Sequence, residues 1–153
     1  MYLVLGGVFM ILAPEKLSFR ISTTDIEVIY TESNGVKLTV EVQSLDDFRH
    51  DKYHAVTFNF SNVAEVKCIS LNFSEFNHDE YEISLKIDDP LTYWEQTGIN
   101  PDPGVYCVTN SELLRDKGLV YDPNNRLNLK HYLIIGYDSY AEVIASKYEF
   151  SGI

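Results

Sequence analysis

DIEVIYTESNGVKLTVEVQS, Asp25 to Ser44, decides the fold. Ile26, Val28 and Tyr30 alternate with Asp25 and Glu27, and Val36, Leu38, Val40 and Val42 alternate with Lys37, Thr39, Glu41 and Gln43. Side chains on a strand point alternately to its two faces, so each run is a strand with one buried face. Asn34-Gly35 separates them, and Asn-Gly adopts positive φ at little cost, which predicts a hairpin closed by a type I′ turn. The same period extends outward. Val56, Phe58 and Phe60 alternate with Thr57, Asn59 and Ser61, and Tyr81, Ile83, Leu85 and Ile87 alternate with Glu82, Ser84, Lys86 and Asp88. Glu65 to Phe73 is strand-like, with its apolar face switching between Cys68 and Ile69, as at a bulge or in a strand buried on both faces. Val105 to Val108 is a short apolar strand, and Tyr132–Tyr137 and Tyr140–Phe150 flank Asp138-Ser139 as a closing hairpin.

Helices are few and short. Asp89 can cap a helix that begins at Pro90 and ends at Gly98. Ser111 can cap Glu112 to Lys117, with Gly118 as the stop, and Ser44 with Asp47 resembles a capping box before Phe48. The pattern is α+β: a single domain over 1–153, dominated by a curled antiparallel sheet of hairpins with two or three short helices. The 153 residues suffice for one domain with a sizeable core.

Met1 to Ala13 carries no charge. It is shorter than the roughly 20 residues a spanning helix needs, and it lacks the basic n-region of a secretory signal. Three readings stand: a buried strand or strand pair, a start assigned too early with Met10 the true initiator, or an unusual export signal.

The chain has 12 basic and 23 acidic side chains, a net charge of −11. That argues against nucleic acid and against anionic lipid, both of which are bound through Lys and Arg. Residues 41–90 concentrate the acidity, with eleven acidic and four basic side chains. Asp46, Asp47 and Asp51 form one cluster, and Asp79, Glu80 and Glu82 form another. Either they keep the chain soluble or they steer a basic partner. No D-x-[DN]-x-[DN]-G loop is present to support calcium.

No chemistry-bearing motif stands out. There is no P-loop, G-x-G-x-x-G or G-x-S-x-G. His50 and His54 would share a helix face at i, i+4, but the H-E-x-x-H base is missing between them, so no metal is assigned. Cys68 and Cys107 fall on different strands and read as packed thiols, with a mutual disulfide or a Cys107 nucleophile near His131 as alternatives. No cofactor is implied. Eleven tyrosines, eight phenylalanines and one tryptophan make 13% of the chain. Most serve a core, but Tyr93 and Tyr121 border irregular segments and suit an interface.

Two stretches, HAVTFNFSNVAEVKCISLNF (His54 to Phe73) and KHYLIIGYDSYAEVIAS (Lys130 to Ser146), together with the size and acidity, resemble the small acidic bacterial immunity proteins of polymorphic toxin systems. The resemblance implies a cytoplasmic inhibitor that binds a cognate, basic toxin and performs no chemistry. The expectation is therefore a protein-binding module whose contacts include Asp46, Asp47, Asp51, Asp79, Glu80, Glu82, Tyr93 and Tyr121. The alternatives are an enzyme with a scattered site near Cys107 and His131, and an assembly subunit with an apolar N-terminal contact.

Overall fold

A computed structural model describes residues 9–23, 25–78 and 80–153. Among these residues eleven strands form two sheets. One is six-stranded: β6 (Glu65–Ile69), β10 (Tyr140–Ala145), β9 (Lys130–Ile135), β8 (Val105–Val108), β1 (Met10–Pro14) and β7 (Tyr81–Ile83), in that order. The other runs β11 (Lys147–Ser151), β5 (His54–Ser61), β4 (Gly35–Ser44), β2 (Phe19–Ile21), with β3 (Glu27–Thr31) also on the edge of β4. Pairing is antiparallel throughout the described residues except between β1 and β7.

The sheets join at two corners and curl into a half-barrel. At one, the run predicted as a single strand from Tyr140 to Phe150 bends at Ser146, so β10 pairs in one sheet and β11 in the other. Ser146 N–H donates to Ser61 O (3.0 Å), and Ala64 N–H donates to Ile144 O (2.7 Å). At the other, Glu15 N–H donates to Val105 O and Ile21 N–H to Pro103 O.

The hairpin at Asn34-Gly35 forms, but not with a type I′ turn. Thr31 faces Gly35 across the ladder, leaving the three-residue loop Glu32-Ser33-Asn34, and only Gly35 of the Asn-Gly pair has positive φ, at 73°. The positive φ thus falls on the first residue after the loop, where glycine has no Cβ to clash. The register explains the choice. A two-residue turn would set Tyr30 against Thr39, on opposite faces of the alternation, whereas the observed loop sets Val28 against Leu38. A Cβ at Gly35 would lie 2.7 Å from Phe60 O.

Between the sheets lies the main core. Val36, Leu38, Val40 and Val42 of β4 and Val56, Phe58 and Phe60 of β5 are all buried, against Val105, Tyr132, Ile134, Ala141 and Val143 of the six-stranded sheet. The other face of that sheet is apolar too, with Leu12, Tyr106, Val108, Leu133 and Tyr140 buried beneath Phe73. Of the apolar N-terminal run, Met10–Pro14 form a strand in which Leu12 is fully enclosed and the other four residues are half-buried. Met1 to Val8, on which the readings of an early start or an export signal turn, lie outside the described residues.

Among the described residues there are four helices, where two or three were expected. α1 (Leu45–Arg49) has the Ser44/Asp47 capping box, and α3 (Pro90–Thr97) runs from an Asp89 cap to Gly98. α2 (Phe73–Asn77) was not anticipated: the strand ends at Ile69, where the apolar face switches, and Asn72 caps a helix whose Phe73 is buried. α4 (Glu112–Tyr121) begins at its Ser111 cap but runs through Gly118 to Asp122. The strand expected over Tyr81–Ile87 pairs only as far as Ile83.

Candidate functional site: an acidic cleft on the five-stranded sheet

The described residues expected to meet a partner are carried on or beside α1, β7, α3 and α4, and not all of them are exposed. Asp46 on α1 and Asp51 just beyond it are exposed. Asp47 is not a surface residue: it is 2% exposed, and its carboxylate accepts from Ser44 N–H (3.0 Å) and the His54 ring (2.6 Å). Burial works to raise its pKa, but the bonds from Ser44 and His54 outweigh that and hold it below the usual carboxylate value. Glu80 and Glu82 are exposed at β7, on the edge of the other sheet, where Lys86 approaches Glu82. Asp79 lies outside the described residues. Tyr93 is half-buried on α3, and Tyr121 ends α4 with its hydroxyl donating to Glu65. His50 and His54 fall on either side of the helix end, one as the α1 cap and one opening β5, so they share no helix face.

The chain instead builds a cleft of about 550 Å³ at a gap in the edge of β4. β3 pairs with Gly35–Thr39 and β2 with Val42–Ser44, which leaves Val40 and Glu41 between them. The chain crosses that gap between β2 and β3, anchored by Ser22 N–H to Glu41 O (2.9 Å). Asp25, Glu27 and Glu41 line the cleft, Tyr53 and Tyr137 form part of its walls, and no basic residue lines it among those described. Tyr137 is fixed twice, by its N–H to Thr23 O (2.9 Å) and by its hydroxyl to Ser22 Oγ (2.7 Å). Tyr53 is 49% and Tyr137 51% exposed, so both keep contact area in reserve. Alternation explains the carboxylates: the inward residues of β4 are apolar, so Thr39 and Glu41 face out, and the register puts Glu27 opposite Thr39. Three like charges around a cleft without a counter-charge favour a cationic occupant.

A second polar array lies on the outer face of the six-stranded sheet. Ser111 Oγ is 2.6 Å from His131 Nδ1, and His131 Nε2 is 2.9 Å from Glu142 Oε1. The consistent protonation has the Ser111 hydroxyl donating to Nδ1 and Nε2–H donating to Glu142. The bond from His131 holds the Glu142 pKa below the usual value, burial opposes it, and the charge of Lys67 adds to the lowering. Ser111 Oγ also accepts from Leu114 N–H (3.2 Å) as the α4 cap. The array therefore fastens the start of α4 to β9 and β10.

Cys107 and His131 do not make a dyad. Cys107 pairs with Tyr132, so its side chain shares that residue's face while the His131 ring points to the opposite one. Burial, and then the charge of Glu15, push the Cys107 thiol up in pKa, the reverse of activation. The two cysteines are free, and Cys68 is exposed on an edge strand rather than packed.

No protein-family model, curated protein or solved structure matches the chain. Among the described residues no helix is long and apolar enough to cross a membrane.

Proposed function

We propose that the protein is a non-catalytic binding module that captures a basic protein partner, in the manner of the immunity proteins its sequence resembles. The supporting observation is the cleft lined by Asp25, Glu27 and Glu41, with Tyr53 and Tyr137 at hand to pack a Lys or Arg stem. A cation held by several carboxylates beside an aromatic face gains from both. Exposed Asp51 lies two residues from Tyr53 and extends the negative field that would speed encounter.

The test is association with the purified products of the genes flanking this one, measured at low and high salt. One of them is expected to bind, more slowly as salt rises because screening shortens the reach of charge to about 8 Å at physiological ionic strength. The triple variant Asp25→Asn, Glu27→Gln, Glu41→Gln should weaken that complex while leaving the melting temperature nearly unchanged. Tyr53→Ala should mainly raise the off-rate. Binding indifferent to the triple variant at low salt, or no binding to either product, would overturn the reading.

A second reading rests on the Ser111–His131–Glu142 array, whose 2.6 and 2.9 Å spacings would let His131 take the Ser111 proton as the oxygen attacks an ester carbonyl and give it to the alkoxide that departs as the ester C–O bond breaks, leaving an acyl-serine for water to hydrolyse. A fluorophosphonate probe separates the two readings. Labelling at Ser111 that disappears in His131→Ala supports acyl transfer, and an unlabelled protein excludes it.

A further inference from the structure

Arg20 occupies a site whose chemistry is opposite to that of the rest of the molecule. It lines a pocket of about 300 Å³ together with Phe48, Leu91, Trp94, Asn100 and Asp102, where β2, α1 and α3 meet. That volume is at the small end of the range for ligand sites. The guanidinium lies over the Phe48 ring at 4.9 Å, and Nη2 donates to Gln43 Oε1 at 3.0 Å. Nε is shielded from solvent and finds no acceptor among the described residues. Although the chain carries 23 carboxylate side chains, none lies within ion-pair distance of Arg20 among the described residues. A buried, unsatisfied donor on a charged group is costly and calls for a physical reason.

We propose that this pocket binds the terminal carboxylate of an apolar α-amino acid unit, either a free amino acid or the last residue of a peptide. A carboxylate matches the planar fork of an arginine and can take two of its N–H groups. Phe48, Leu91 and Trp94 supply walls for an apolar side chain and exclude water, which strengthens the ionic bond. Asp102 sets the remaining requirement. Its carboxylate accepts from the Tyr106 hydroxyl, and its backbone N–H donates to Asn100 Oδ1 (2.8 Å), so the residue stays on the pocket wall. There it rejects a second negative charge and accepts from an N–H beside the ligand carboxylate, the group that an amino-acid unit carries.

Trp94 is the only tryptophan in the chain and lines this pocket, so intrinsic fluorescence reports on it directly. The whole protein is titrated with leucine, with Gly-Gly-Leu bearing a free carboxylate, and with the same peptide as its C-terminal amide. A saturable change is expected with at least one of the first two, and the amide should bind about tenfold more weakly or worse. A response to leucine itself identifies a free amino acid as ligand; a response to the peptide acid alone identifies a chain end. Arg20→Gln should abolish the response and Arg20→Lys should weaken it. Equal binding of acid and amide, undiminished binding by Arg20→Gln, or no saturable change with leucine or the peptide acid would each overturn the proposal. If Arg20→Gln does not fold, the comparison of acid with amide on the unaltered protein decides alone.

Discussion

α2 and α4 cover the same face of the six-stranded sheet by opposite means. α2 has five residues and buries Phe73, whose ring lies 4.9 Å from that of Tyr81 and 5.0 Å from that of Tyr140. α4 has ten residues and buries none of them. It is fastened at its start through Ser111, His131 and Glu142 and at its end through Tyr121 to Glu65, while Leu119 and Val120 stand 74% and 77% exposed. Length therefore does not measure attachment. A single enclosed aromatic ring contributes more than a long helix held by polar contacts, because each such contact replaces a bond to water and gains only the difference.

The largest effect should come from removing the apolar anchor. Phe73→Ala leaves a cavity among Leu12, Tyr106 and Tyr140 and should cost about 3–5 kcal/mol in urea unfolding. A loss below about 1 kcal/mol would mean that α2 is not part of the cooperative core. His131→Ala should cost less, about 1–3 kcal/mol, since it strands Glu142 and the Ser111 hydroxyl but removes little packing. Its signature should be local: amide exchange in α4 accelerates while α2 keeps its protection. Equal acceleration in both helices would break the distinction drawn between them.

Acid tests the same contrast without mutation. The folded pKa of Glu142 lies below its unfolded value of about 4.5. The stability it contributes is thus present above that value and is lost as pH falls through the folded pKa, because the unfolded chain takes up the proton first. Asp47 acts in the same direction from its value of 3.8. Amides of α4 should therefore lose protection before those of α2 on titration below about pH 4.5. The smallest effect should be a gain. Gly118 sits inside α4 with nothing within 4 Å of an added Cβ, so Gly118→Ala should stabilise by about 0.5–1 kcal/mol, visible as a higher melting temperature.

Gly118 also shows where the sequence misleads. A glycine after Lys117 reads as a helix stop, yet the chain reaches Asp122, whose N–H donates to Gly118 O. The backbone there keeps a negative φ, and local composition carries no record of the Tyr121–Glu65 bond that holds the last turn. α2 was hidden for a related reason. Five residues are too few to display a helical period, and Phe73 fits the end of a strand as well as the start of a helix. The candidate site was hidden differently. Asp46, Asp47 and Asp51 draw notice because they are neighbours in the chain, but one of them caps a helix from inside. Asp25, Glu27 and Glu41 are spread over a hairpin in less acidic surroundings. The outward positions of Glu27 and Glu41 were legible from alternation; the gap between β2 and β3 that turns them into a cleft was not.

The sequence by itself determined most of the strands, the Asn34-Gly35 hairpin and three of the helix caps, because each follows from contacts within a few residues: the period of a pleated strand, a glycine's freedom at positive φ, an oxygen three residues before an amide. Tertiary structure decided the rest. It chose a three-residue loop so that Val28 and Leu38 share a face, bent the chain at Ser146 to join two sheets, set β1 beside β7, and turned Cys107 and His131 to opposite sides of one sheet. These outcomes depend on which apolar faces can be covered together by residues far apart in the chain. That is a property of the packed whole, and no local run of residues carries it.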